Sequence, residues 1–348
     1  MNIALVYGGV SSEHEISCLS AKTIYKALDP ERYEVTLIFI TKDGQWKLVD
    51  HIQDYTEEAY ATFPTAVVIP SKEEMNCLIL EEPVRRLHID LAIPVLHGLG
   101  GEDGTIQGLF EMAGIPYVGC GVIASAAAMD KITTKKIVAP LGIRQARFVD
   151  VYRHELNHME DVIAKVEETL DYPVFVKPSN AGSSVGVSQA NDRTELAAGL
   201  HTAAVQDRRI LVEESIVGHE VECAVLGNLD VAASRVGEIL AADSFYTYDA
   251  KYNNPESQTV IADYLPEETI QEIRKDAVQI FKALDGSGLA RVDFFVEKET
   301  GEVVFNEINT FPGFTSISMY PTLWIHEGFT IEGLVDRLIQ LGLEREHK

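Results

Sequence analysis

Three short runs near the start of the chain leave little freedom in how it can fold. "NIALVY" (2–7), "YEVTLIFI" (33–40) and "IDLAIPVLHG" (89–98) are apolar almost without a break. A strand with one wet face alternates apolar and polar residues, whereas a strand covered on both faces does not. After the first run, Ile16, Leu19, Thr23, Ile24, Ala27 and Leu28 recur at helical spacing. Such strands alternating with helices predict a doubly wound, parallel α/β sheet. Its ligands would sit beyond the carboxyl ends of the strands, at "GGVSSEHEIS" (8–17) and "HGLGGEDG" (97–104). Residues 41–88 read as a polar insertion with some local strand or helix.

Two further units are expected. The second begins near Cys120 and runs helix (160–170), strand (174–178), a small-residue loop, strand (185–190), helix (192–206) and strand (209–214). The third begins near 215 and is rich in strands. It holds "GHEVECAVLG", a polar stretch 243–263, a helix (266–284), a strand pair and a closing helix (330–342).

Charge narrows the function classes. A net charge of −25 argues against unspecific nucleic-acid binding, which needs Lys and Arg to neutralise phosphates. Anionic substrates would have to be held by local basic residues against this field. The uncharged stretch 112–129 is broken by Gly114, Pro116, Gly119 and Gly121, so it reads as strand, turn and helix start and not as a membrane span. The four cysteines are widely spaced and form no CxxC, and "MNIALVYGG" has no basic leader. Reduced thiols and a cytoplasmic location are therefore expected.

The hairpin "RVDFFVEKETGEVVFNEIN" carries the sharpest chemical signal. The period of two puts Arg291, Asp293 and Phe295 on one face and Val292, Phe294 and Val296 on the other. A three-residue turn, Glu299-Thr300-Gly301 with the glycine left-handed, would set Asp293 opposite Glu307, with Asn309 on the same face. Two carboxylates and an amide oxygen are hard ligands suited to magnesium. Taken alone, the pattern also fits a hairpin with a solvated polar face.

"FVKPSNAGSSVGVS" (175–188) reverses the usual phosphate-loop order, with its lysine before the glycines. Lys177 ends a strand, and the loop can cover phosphates with backbone N–H groups from above. Lys131, in "MDKITTKK", is a candidate second phosphate contact, although a surface lysine reads the same way. In "ILVEESIVGHEVE" a strand end can offer backbone groups to an adenine edge, and Glu220 a carboxylate to a ribose. "HELNH" (154–158) matches a zinc-protease pattern but straddles an element boundary. "GCGVIA" (119–124) lacks the acidic residue that a dinucleotide fingerprint needs. Both are set aside.

"GGVSSEHEIS", "LHGLGGEDG", "VKPSNAGSSVGV", "YDAKY", "RVDFFV" and "NEINTFPGFTSISMYP", in this order, resemble the D-alanine–D-alanine ligases of the ATP-grasp superfamily. The resemblance spans nearly the whole chain. It implies an ATP-grasp fold with an N-terminal doubly wound domain (1–119), a central subdomain (120–214) and a C-terminal subdomain (215–348). The two subdomains would hold ATP between them, with 243–263 as lid. It further implies ATP, two magnesium (or manganese) ions, two molecules of D-alanine and a homodimer, in peptidoglycan precursor synthesis.

The resemblance also assigns residues. Glu15 would hold the first D-alanine's ammonium and His97 would lie near its carboxylate. Lys131, Lys177, Ser183 and Ser184 would meet phosphates, with Ser183 bonding towards Glu15 and Tyr252. Glu213, Ile216 and Glu220 would bind adenosine. Asp293, Glu307 and Asn309 would bind metal. Arg291 and the Gly313 backbone would steady the tetrahedral intermediate, while Ser318 and Met319 would take the second carboxylate. Lys251 and Tyr252 match the pair found in dipeptide-forming members. The tail of that lid, "NNPESQTVIADYLP", departs from many members in having no cysteine or aromatic before the alanine. D-serine at the second position, another acid–amine pair, and a non-catalytic nucleotide-binding regulator are the competing readings.

Overall fold

The first apolar run becomes the strand Asn2–Gly8, which pairs in parallel with Glu34–Ile40 on one side and Leu91–Val95 on the other. All but the first residue of Asn2–Gly8 are buried, which is why its sequence does not alternate. The computed structural model describes residues 1–53, 57–71, 76–182, 185–240 and 258–345. The parallel part of this N-terminal sheet is confined to these three strands. Residues 41–88 extend it with four antiparallel strands, Trp46–Val49, Thr65–Val68, Asn76–Leu80 and Arg85–His88. The expected parallel sheet is thus present as these three strands, and the 41–88 insertion, expected to hold some local strand or helix, joins the same sheet at one edge. The added strands have only four or five residues, too few for a clear periodic signal.

The helix His14–Ala27 packs on this sheet through Ile16, Ala21, Ile24 and Ala27. Two members of the expected apolar stripe do not join it: Leu19 is exposed and Thr23 is only partly buried. Ser17 and Ser20 are fully buried instead. The Ser17 hydroxyl accepts from Gly8 N at 2.7 Å and donates to Val95 O, which ties the ends of two parallel strands together. At the turn, Gly8 has φ 95°, and a Cβ there would lie 2.2 Å from Ile40 O, so only glycine fits.

The central sheet is antiparallel, in the order Ser188–Ala190, Val174–Pro178, Arg209–Glu214, Phe148–Tyr152. Helices Met159–Glu167 and Arg193–Gln206 cover one of its faces. The C-terminal sheet has five antiparallel strands, in the order Gln258–Ile261, Ala232–Leu240, Gly218–Gly227, Gly288–Glu297, Val303–Asn309. Its core takes Ile270, Ile273, Ala277 and Ile280 from helix Glu267–Ala283. Cys120, Ala124, Ala127, Val138 and Ile143 pack into the same core. The last helix, Ile331–Arg345, returns to the N-terminal sheet and buries Leu334, Leu338 and Ile339 beside Ile3 and Leu5. Among the described residues no helix is long and apolar enough to cross a membrane. All four cysteines are free thiols.

Candidate active site

The C-terminal hairpin brings its chemical groups together as the alternation predicts, by a different route. Asp293 stands opposite Glu307, and Arg291 opposite Asn309. The connection is one residue longer than expected, because Val296 pairs with Val303 and Glu297 N donates to Glu302 O at 3.0 Å. Gly301 takes the left-handed conformation, with φ 74°. A bulge then recovers the offset: Phe294 faces Phe305, while the next residue back, Asp293, faces Glu307. Turn and bulge cancel. Arg291 grips Asp293 through two bonds, Nε to Oδ1 at 2.8 Å and Nη2 to Oδ2 at 2.7 Å. Asn309 Nδ2 donates to Asp293 Oδ2 at 3.0 Å.

A third carboxylate belongs to this row. Glu222 stands opposite Asp293 on the neighbouring strand, 3.1 Å from Arg291 Nε. The sequence reading named Glu220 and passed over Glu222, although the period of two puts both on one face. Burial disfavours charge on Arg291, but the carboxylates of Asp293 and Glu222 outweigh it and hold the guanidinium firmly protonated.

The two lysines come from the opposite wall. In Val174–Pro178, Val174, Val176 and Pro178 are buried against the helices, so Phe175 and Lys177 face the other way, into the cavity. Lys177 Nζ pairs with Glu213 Oε1, and the buried Lys135 Nζ meets Glu213 Oε2 at 2.9 Å. Burial alone would raise the Glu213 carboxyl, but the two ammonium groups overcome it and hold the group at about 2. Lys131 is the first residue of helix Lys131–Val138. Asp130 caps that helix by accepting from Thr133 N at 2.8 Å, and is itself held by Ser179 Oγ and Arg209 Nη1 at 2.8 Å each. So fixed, Lys131 Nζ reaches Ala181 O at 2.9 Å and Glu307 Oε2 at 3.3 Å.

The N-terminal contribution differs from the expectation. Glu15 lies on the outer side of helix His14–Ala27, half exposed and paired with Lys42. Glu13, just before the helix, lines the cavity instead. Two helical steps turn a side chain by roughly 200°, so only one of the two glutamates can face the site. A Cβ at Gly98 or at Gly182 would lie 2.8 Å from Glu13 Oε2, which places this carboxylate between the 97–104 loop and the small-residue loop. Of the two glutamates of "EHE", Glu15, which the resemblance assigned, faces away from the cavity, and Glu13 faces it.

His97 is buried, and both its ring nitrogens are engaged: Nδ1 lies 3.0 Å from Phe311 O and Nε2 3.2 Å from Ser20 Oγ. The carbonyl can only accept, so Nδ1 carries the proton and Nε2 accepts from the hydroxyl. Burial depresses the His97 pKa, which keeps the ring neutral and this tautomer consistent. Glu102 also lines the cavity; burial, and then the charge of Glu13, push its carboxyl up to about 7.

These walls enclose a cavity of about 930 Å³, where Ile216, Glu220, Asn309 and Gly313 join the groups already described. Ser318 stands just behind Gly313, where a Cβ would lie 2.8 Å from its Oγ, and Met319 follows it in the chain. Ser318 Oγ accepts from Thr315 N at 2.9 Å. Met319 is buried in the core with Tyr320 and Trp324, so its side chain is no ligand contact; its N–H, at the start of helix Met319–His326, is the group available. Ser183, Ser184, Lys251 and Tyr252 lie outside the described residues, as does most of the lid. His154 and His158 of "HELNH" are exposed, and Glu155 serves to accept from Tyr152 N at 2.6 Å. Among the described residues no group of three or more His, Cys, Asp or Glu side chains is arranged to hold a metal. The hairpin offers two carboxylates and an amide, a set that suits a cation completed by phosphate oxygens and water.

Comparison with known proteins gives this geometry its family. Residues 2–120 match the family described as "D-ala D-ala ligase N-terminus" and residues 137–340 the one described as "D-ala D-ala ligase C-terminus". The chain is 51% identical to the D-alanine–D-alanine ligase of Acetivibrio thermocellus, covering 99% of this chain and 96% of that one. It is 45% identical to the corresponding ligase of Caldicellulosiruptor bescii, over 100% of this chain and 96% of the other. Among solved structures, the VanG D-Ala:D-Ser ligase of Enterococcus faecalis superposes with TM-score 0.88 at 37% identity, covering 98% and 99% of the two chains. The D-alanine–D-alanine ligase of Coxiella burnetii gives TM-score 0.85 at 33% identity, covering 100% and 96%. With its three sheets around one cleft, this chain has the ATP-grasp fold and belongs to the D-alanine–D-alanine ligase family.

Proposed function

We propose that this protein joins two molecules of D-alanine into D-alanyl-D-alanine at the expense of ATP, for peptidoglycan precursor synthesis. One observation carries the reading: Lys131, Lys177 and Arg291 share a single cavity with Asp293, Glu307 and Asn309. Each cation already faces a carboxylate there. A nucleoside triphosphate accompanied by cations can replace the hairpin pairings, and Glu213 keeps Lys135 when Lys177 turns to phosphate. The lysines would turn to phosphate oxygens, and the hairpin carboxylates Asp293 and Glu307 would hold magnesium. No buried charge is stranded in the exchange. Bound magnesium would draw charge from the transferring phosphoryl group.

In this reading Glu213, Ile216 and Glu220 hold the adenosine, and Lys131 and Lys177 hold the phosphates. Glu13, not Glu15, binds the first D-alanine's ammonium. A carboxylate oxygen of that D-alanine attacks the γ-phosphorus, the bond to the β-phosphate oxygen breaks, and ADP leaves. The product is an acyl phosphate, a far better acyl donor than the carboxylate. The second D-alanine, its carboxylate at the Ser318–Met319 backbone, attacks through its amine. Arg291 and the Gly313 N–H stabilise the oxyanion, the C–O bond breaks, and phosphate departs. Water must be excluded meanwhile, or the acyl phosphate hydrolyses.

The sheets support a division into 1–119, 120–214 and 215–348, with the qualification that 120–143 packs on the third sheet and 331–345 on the first. The reading includes a homodimer and a cytoplasmic location, where ATP is supplied. A D-serine acceptor is the second reading. It is favoured by the likeness to a D-Ala:D-Ser ligase, because a small pocket rejects one added hydroxyl only weakly. The test is ATP-dependent phosphate release with D-alanine, L-alanine, D-serine and D-lactate, with products identified by mass. A D-alanyl-D-alanine product is expected. ATP binding without product from any of these acceptors would remove the proposal.

A further inference from the structure

The loop 310–314 leads from the metal-side strand Val303–Asn309 to the proposed oxyanion donor Gly313 and on towards the second subsite. Its backbone is fastened by side chains that belong to the N-terminal half of the chain. Phe311 N donates to Glu102 Oε1 at 3.0 Å. Phe311 O accepts from His97 Nδ1 at 3.0 Å. Phe314 N donates to Ser20 Oγ at 3.0 Å, and that hydroxyl also meets His97 Nε2 at 3.2 Å. Gly313 therefore lies between two pinned positions.

Glu102 does something the other two do not. Its second oxygen, Oε2, accepts from Gly98 N at 2.8 Å, in the loop that follows strand Leu91–Val95. One carboxylate thus bridges two loops that leave different sheets, with one oxygen for each. A carboxyl has two oxygens and can offer an acceptor to each of two N–H groups that converge from opposite sides, and when protonated it still does so if its O–H points away from both. An amide would turn its NH₂ towards one of them, donor against donor. An aspartate is one methylene too short to span both without moving a loop.

We propose that Glu102 is a positioning residue for the ligation step: by bridging Gly98 N and Phe311 N it holds the Gly313 loop against the wall formed by His97. The bridge keeps the oxyanion donor at the acyl phosphate and keeps water from that side of the cavity. Glu102 itself touches neither reactant in this proposal. Nucleotide binding is the task of the opposite wall, where Lys177 and Glu213 stand, so loosening the bridge separates ligation from ATP binding. The proposal rests on the ligase reading above.

The test is Glu102→Gln and Glu102→Asp, with phosphate and dipeptide measured together under saturating ATP and D-alanine. Wild type should release one phosphate per dipeptide. Both variants should form dipeptide about 100-fold more slowly, the scale of a misplaced reacting group. Their KM for ATP should stay within about twofold, and more than one phosphate should be released per dipeptide as the acyl phosphate is lost to water. The ratio does not depend on how much of the variant is folded, so it separates positioning from simple destabilisation. A ratio that stays at one in both variants would overturn the proposal, whatever the rate. So would normal coupling in Glu102→Asp with uncoupling in Glu102→Gln, because charge alone would then be what matters. A wild-type protein that makes no dipeptide would instead remove the ligase reading.

Discussion

The hairpin Gly288–Asn309 and the seam between residues 97–102 and 310–314 serve the same cavity and are built in opposite ways. In the hairpin, charged side chains meet other side chains of the same sheet: Arg291 with Asp293, and Asp293 with Asn309. In the seam, side chains of one half of the chain hold the backbone of the other half: Glu102 and His97 on Phe311, Ser20 on Phe314. The hairpin can exchange partners when a charged ligand arrives, because Arg291, Asp293 and Glu307 are ions and Asn309 can turn its amide. The seam cannot, because its partners are peptide groups with nowhere else to turn. The first region is suited to bind and release, the second to hold still.

Removing hairpin charge should have the largest effect. Asp293→Asn or Glu307→Gln is expected to lower turnover by roughly 10³-fold or more while ATP binding falls far less. Equal losses in binding and turnover would place these groups with the nucleotide instead. On the opposite wall, Glu213→Gln leaves Lys135 and Lys177 without their shared counter-charge, and should cost about 3 kcal/mol in unfolding free energy. The same substitution has a pH signature. Glu213 titrates near 2 in the folded chain against an ordinary 4.5. Its stabilisation is therefore complete above 4.5 and is lost as the pH falls towards 2. Wild-type stability should drop towards the variant's over that window in acid denaturation.

Smaller effects sharpen the N-terminal side. Glu13→Gln should raise the KM for D-alanine by about 30-fold, the scale of one charged hydrogen bond, without a comparable change for ATP. Glu15→Gln breaks only an exposed ion pair with Lys42 and should change stability by less than about 0.5 kcal/mol, with kinetics unaltered. If the two variants exchanged these phenotypes, the placement of the helix start at His14 would be wrong.

What could be read from sequence follows the same division. Alternation gave the hairpin's faces, and Asp293 did come to rest opposite Glu307, although the turn was one residue longer and a bulge restored the register. Lys177 was legible because a strand end and a small-residue loop adjoin it. Glu13 was missed because choosing between the glutamates of "EHE" requires knowing where the helix begins, and helix starts are weakly encoded when no side chain caps them; none caps this one. Ser17 and Ser20 were missed because a buried serine breaks an apolar stripe while serving backbone groups that no pattern displays. Glu102 lies in "LHGLGGEDG", but its partner at Phe311 is far along the chain. The antiparallel extension within 41–88 was hidden by strands too short for periodicity.

The most direct measurement starts from D-alanine labelled with ¹⁸O in its carboxylate. In the proposed reaction that carboxylate attacks the γ-phosphate and later surrenders the bridging oxygen when the amine displaces phosphate. One ¹⁸O should therefore appear in the inorganic phosphate for each dipeptide formed, and the peptide carbonyl should keep the other. Unlabelled phosphate alongside fully formed dipeptide would mean that the carboxylate was activated without an acyl phosphate, and would contradict the account.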